Sequence, residues 1–129
     1  MKFHHIGIAT KDLNKSISLY QNLGYVSSKI IYDSNQKVNL CFLEKTNSPT
    51  IELVGSNEKK SILHNIIKKN GTTPYHTCYE VNDLEKQIDI LLDLGFILLV
   101  KPIEAIAFNN RKISFLYNIN FGIIELLEC

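Results

Sequence analysis

The chain has 129 residues, about one domain at the usual ~100–200 residues. Hydrophobic residues make up 45% and charged residues 21%, a balance that excludes a disordered chain and provides for a packed core. Lys and Arg number 14 against 13 Asp and Glu, a formal charge of +1; this excludes the basic footprint of a nucleic-acid binder, and no apolar run approaches the ~18 residues of a membrane span.

The N-terminus passes directly into patterned sequence, with no signal-peptide profile. Cys41, Cys78 and Cys129 are few, odd in number and not in a CxxC spacing. Both features predict a reducing, cytoplasmic setting rather than a disulfide framework. Residues 3–9 are rich in β-branched and aromatic side chains and read as a strand. Asp12 stands at an N-cap position, and Leu13, Ile17 and Tyr20 follow at helical spacing. Gly24 ends that helix. Strands are predicted at 25–32, 37–44 and 50–54, with a turn at Asn47-Ser48-Pro49. Residues 56–71 read as a linker helix, capped by Ser56 or Asn57 and ended by Asn70-Gly71. Ile62, Leu63, Ile66 and Ile67 form its apolar side, and Lys59, Lys60, Lys68 and Lys69 a solvated face. A strand at 75–81 follows, then Asp83 as a second N-cap, Leu84, Ile88 and Leu91 at helical spacing, and Gly95 as a second stop. Strands at 96–101, 111–117 and 122–127 complete the chain, with a turn at Asn118-Ile119-Asn120.

The second half repeats the first. His5 and His76, Asp12 and Asp83, Ile17 and Ile88, and Leu23-Gly24-Tyr25 and Leu94-Gly95-Phe96 are all 71 positions apart. Further on the offset becomes 73: Phe42-Leu43 matches Phe115-Leu116, and Ile51-Glu52-Leu53 matches Ile124-Glu125-Leu126. A two-residue loop insertion in the second half accounts for the change. The expected architecture is α+β: a βαβββ module at 1–55, the linker helix at 56–71 and a second βαβββ module at 72–129, related by a pseudo-twofold.

The polar residues that match across the repeat are His5 with His76 and Glu52 with Glu125, each interrupting an apolar strand. A single such Glu would ordinarily face water. Matched in both halves, two imidazoles and two carboxylates form a mixed nitrogen–oxygen set suited to a divalent first-row metal, with open positions of the kind a catalytic site keeps. His4 alternates to the opposite face from His5, and His64 lies outside the repeat. Glu128 is expected to face solvent, and Glu44 and Glu80 lack counterparts in the other half. Cys78 shares strand parity with His76 and reads as a small buried side chain. Gly7 and Gly122 mark a close backbone approach or a bulge. No Ser lies in a GxSxG elbow, and neither Cys41 nor Cys78 carries a signal of activation.

His5-Ile-Gly-Ile-Ala with Asp12-Leu13, Ile51-Glu-Leu53, Pro74-Tyr-His-Thr-Cys-Tyr-Glu-Val81 with Asp83-Leu84, Arg111-Lys-Ile-Ser-Phe-Leu116 and Gly122-Ile-Ile-Glu-Leu126 together resemble the vicinal oxygen chelate superfamily. The resemblance is to the branch containing glyoxalase I and methylmalonyl-CoA epimerase. It implies an open half-barrel cup with His5, Glu52, His76 and Glu125 on the four metal-ligand positions. The implied cofactor is a divalent ion: nickel, cobalt, zinc, manganese or magnesium. The implied reaction is a proton shift beside the carbonyl of an α-keto hemithioacetal or an acyl thioester, with Glu125 as the first choice of base and Glu52 as the second. A small-molecule substrate is expected, with no nucleic acid or membrane partner, and a homodimer is left open. Epimerases of this branch commonly carry Glu directly before Gln in the segment leading to the third strand; here Asn35 precedes Gln36. The alternative within the superfamily is a metal-free sequestering protein of the bleomycin-resistance type.

Overall fold

The computed structural model describes residues 1–129. In chain order the elements are β1 (Lys2–Ala9), α1 (Leu13–Asn22), β2 (Val26–Ser27), β3 (Ile31–Asp33), β4 (Val38–Glu44), β5 (Ile51–Gly55), α2 (Ile62–Asn70), β6 (Thr73–Val81), α3 (Leu84–Asp93), β7 (Ile97–Ala105), a 3-10 turn at Ile106–Phe108, β8 (Arg111–Asn118) and β9 (Gly122–Glu128). No helix is long and apolar enough to cross a membrane. The chain divides into two compact units, His5–Tyr75 and His76–Cys129, the latter joined by Met1–His4. Phe3 packs edge-on against Tyr79, and His4 against Phe108, which ties those first residues to the second unit.

In the His5–Tyr75 unit the strands run β2-β4-β5-β1, with β3 also paired to β4. The β1–β5 pair is parallel and β4–β5 antiparallel. The other unit has the order β6-β9-β8-β7, again with one parallel pair, β6–β9, and two antiparallel ones. The second unit realises the βαβββ order expected of an α+β repeat, and the first does so with its second strand broken into β2 and β3.

The helix ends are set locally, and alike in both halves. Asp12 accepts a hydrogen bond from the Lys15 amide at 3.1 Å, and Asp83 accepts one from Lys86 at 3.0 Å, each satisfying a free first-turn donor. At the other end Gly24 and Gly95 take φ of 96° and 92°. The Gly24 amide donates to Gln21 and the Tyr25 amide to Tyr20; the Gly95 amide donates to Leu92 and the Phe96 amide to Leu91. Both ends are Schellman motifs, and the residue after each glycine folds back to pack on the helix. The Tyr20 and Tyr25 rings meet edge-to-face at 5.3 Å. A Cβ at Gly95 would meet only the Asn118 amide nitrogen, at 3.7 Å, so the glycine is needed for its φ and not for space. Gly95→Ala is expected to cost about 1–2 kcal/mol, read as a lower urea midpoint at unchanged slope.

Alternation assigns one face of each sheet to its helix. Ile8, Cys41, Leu43, Ile51 and Leu53 form one buried cluster, joined by Leu13, Ile17 and Tyr20 of α1. Val81, Leu116, Ile124 and Leu126 form the other, joined by Leu84, Ile88 and Leu91 of α3.

Four expectations from the sequence are corrected. The single strand at 25–32 is two short strands. The Ser28 hydroxyl accepts from the Phe42 amide at 2.9 Å, so a side chain stands in the ladder where backbone would. The linker helix starts at Ile62 with Ser61 as its cap, accepting from the His64 amide at 3.0 Å. Ser56 is occupied elsewhere, donating to the Lys37 carbonyl and accepting from the Glu58 amide. Only Leu63 of that helix is buried, and Ile62 is exposed. Finally, Gly122 has φ of 93° and closes the turn into β9 instead of forming a bulge.

Candidate functional site

Strand parity carries His5, Glu52, His76 and Glu125 to the faces their helices leave uncovered. On β5, Ile51 and Leu53 point into the α1 core, and Glu52 between them points the other way. On β9, Ile124 and Leu126 point into the α3 core, and Glu125 points away. His5 and Gly7 alternate with Ile6 and Ile8 on β1, whose Gly7 lies in register with Glu52. His76 and Cys78 alternate with Tyr79 and Val81 on β6, whose Cys78 lies in register with Glu125.

The structure brings each histidine to the glutamate of its own unit. His5 Nε2 lies 3.5 Å from Glu52 Oε1, and His76 Nε2 lies 3.0 Å from Glu125 Oε2. All four residues are buried, at 0%, 4%, 4% and 1% exposure in the order His5, Glu52, His76, Glu125. A buried carboxylate is costly unless positive charge and hydrogen-bond donors accompany it. These distances also suit shared coordination. Zinc-type bonds of ~2.0–2.2 Å to nitrogen and oxygen put neighbouring ligand atoms about 2.8–3.6 Å apart at right or tetrahedral angles. Each half therefore offers one imidazole nitrogen and one carboxylate oxygen at the spacing of adjacent ligands, a donor set that fits a divalent first-row metal.

A ring borders each pair. Phe42 is opposite Glu52 in the β4–β5 register and meets the His5 ring edge-to-face at 5.8 Å. Phe115 is opposite Glu125 in the β8–β9 register and meets the His76 ring at 5.3 Å. In the sequence Phe42 and Phe115 are equivalent positions of the repeat, at the same offset as Glu52 and Glu125; the strand register is what sets each beside its carboxylate.

The other candidates sit elsewhere. His4 is half-buried against Phe108, and His64 is half-buried on α2. Glu80 pairs with Arg111 at 3.3 Å, so the single arginine of the chain serves a salt bridge there. Glu128 is half-buried and not simply solvent-facing, and its carbonyl accepts from the same arginine at 3.5 Å. Asn35 lies in a turn where its amide donates to the buried Asp33 carboxylate, which also accepts from the Gln36 amide and side chain. Cys41 and Cys78 are fully buried, and Cys129 is exposed. Burial pushes the Cys41 thiol above its ordinary range, with a Ser27 hydrogen bond acting against this and the Glu52 charge adding to it. One thiol, Cys129, is expected to react quickly with Ellman's reagent at pH 8, and all three after denaturation, because the thiolate is the reacting form.

The family model described as Glyoxalase/Bleomycin resistance protein/Dioxygenase superfamily matches residues 4–115. The chain belongs to this superfamily. Within it, the mitochondrial methylmalonyl-CoA epimerase of Dictyostelium discoideum is 30% identical over 131 residues, spanning 98% of this chain and 78% of that protein. Solved structures share the fold. The methylmalonyl-CoA epimerase of Mycobacterium tuberculosis superposes with a TM-score of 0.84 at 24% identity, over 98% of this chain and 87% of that one. A variant of the Streptomyces coelicolor enzyme, in complex with 2-nitronate-propionyl-CoA, gives 0.83 at 21% identity, over 99% and 94%. The superfamily membership implied by the resemblance is thus shown, and the epimerases it is similar to are isomerases.

Proposed function

We propose that this superfamily member is a divalent-metal-dependent epimerase acting on methylmalonyl-CoA or a closely related 2-substituted acyl-CoA thioester. The observation that carries the reading is the pair of repeat-equivalent, buried His–Glu contacts, one in each unit. The likeness to the Dictyostelium epimerase along nearly the whole chain favours the epimerase arm over the glyoxalase one.

In this reading His5 and Glu52, and His76 and Glu125, would be ligands to a divalent ion, whose charge would offset that of the buried carboxylates. When bound, it supplies the Lewis acidity that draws charge from a deprotonated α-carbon onto the neighbouring oxygens. The chain's own residues do the rest. Glu125 takes the α-proton of the thioester substrate as its carboxylate. Glu52, once it has taken up a proton from solvent, delivers it to the opposite face, which inverts the centre, and Glu125 gives up its captured proton to solvent to close the cycle. Asn35 is an amide and cannot act as a base, so a base is not available at that position. The apolar neighbours of the two carboxylates, Phe42 and Phe115 among them, keep water away and strengthen every charge interaction there.

The test is proton exchange in deuterium oxide. Protein loaded with cobalt(II) is incubated with methylmalonyl-CoA and, separately, with the hemithioacetal of methylglyoxal and glutathione. Deuterium at the α-carbon of the thioester supports the epimerase. Turnover of the hemithioacetal alone moves the protein to the glyoxalase arm. Metal binding or ligand binding without exchange on either substrate overturns the enzymatic reading in favour of a sequestering protein.

A further inference from the structure

We infer that Phe42 and Phe115 are positioning residues, each ring setting the tilt of the imidazole in its own unit so that Nε2 faces the adjacent carboxylate. This rests on the metal-binding reading above. The torsion that turns an imidazole about its Cβ–Cγ bond is soft and broad, so a histidine on a strand needs a wall to fix its plane. An aromatic ring supplies one, because its positive edge and negative face favour an edge-to-face neighbour.

Both units build the same wall. The His5 and Phe42 planes stand at 72°, and the His76 and Phe115 planes at 83°. In both units the ring comes from the strand antiparallel to the one bearing the glutamate, at the register position directly opposite it. The closeness of the ring also follows the closeness of the pair. Phe115 lies at 5.3 Å from its histidine, where the His–Glu contact is 3.0 Å; Phe42 lies at 5.8 Å, where the contact is 3.5 Å. Both phenylalanines are only half-buried. Neither lies in the apolar clusters under α1 and α3, so filling a core does not account for them.

The test measures cobalt(II) affinity and its visible absorption band in the full chain. Phe115→Leu and Phe115→Met remove the ring with similar bulk, and one of them serves if the other fails to fold. Each is expected to weaken cobalt(II) about 3- to 10-fold and to shift the band, at a near-native urea midpoint. Phe42→Leu should do so less strongly, and Phe115→Tyr, which keeps the ring, should stay near wild type. Phe96→Leu, a ring packed on the α3 core, should leave affinity and band unchanged. Ringless variants with wild-type affinity and an unshifted band would overturn the inference. So would equal losses in Phe96→Leu. Absence of any cobalt(II) band in the unmodified protein would instead overturn the metal-binding reading on which the inference stands.

Discussion

Glu125→Gln is expected to remove deuterium incorporation at the α-carbon of methylmalonyl-CoA. Losing a positioned general base typically costs ~10²–10⁴ in rate, and Glu125 is the more closely held of the two carboxylates, with its oxygen 3.0 Å from His76 Nε2. Glutamine keeps the shape and an acceptor oxygen, so part of the metal affinity should survive while the base is gone. Mass spectrometry of the thioester after incubation in deuterium oxide checks this, with metal content measured on the same sample. Exchange at the wild-type rate in Glu125→Gln would pass the role of main base to Glu52. That variant should also fold. Glu125 is 1% exposed, and replacing its charge with a neutral amide relieves a desolvation cost at the same time as it removes an ionic contact.

His76→Ala should weaken divalent-metal binding by more than about 100-fold, since loss of a direct ligand exceeds the 10–100-fold typical of residues that only support one. The same change leaves the Glu125 carboxylate buried without its 3.0 Å imidazole partner, so metal-free protein should also lose stability, by roughly 3–5 kcal/mol if the carboxylate stays charged and by less if it takes up a proton. Isothermal titration with cobalt(II) and a urea melt of the metal-free variant separate the two effects. Titration curves that match the wild type would exclude His76 as a ligand. His5→Ala is a useful counterpart, because its contact to Glu52 is longer, at 3.5 Å.

Much of this protein is written in short-range chemistry. Asp12 and Asp83 cap their helices through amides three residues ahead. Gly24 and Gly95 end them because an L side chain resists φ above 90°. The alternation Ile51-Glu52-Leu53 and Ile124-Glu125-Leu126 already assigns the glutamates to the face away from the helices, since a strand turns over every residue. A repeat doubles each of these signals, which is why the βαβββ order and the four candidate ligands are legible without coordinates. The tertiary structure decided what depends on partners distant in the chain. Ser28 splits a strand by bonding to Phe42, 14 residues on, and Ser56 gives up its capping role to reach the Lys37 carbonyl, 19 residues back. Arg111 and Glu80 meet across 31 positions. Phe42 and Phe115 become walls for His5 and His76 only through the strand register, which sequence spacing does not contain. Local propensity and alternation are read along one segment, whereas these contacts come from pairing between segments, and that pairing is settled only when the whole sheet closes its hydrogen bonds.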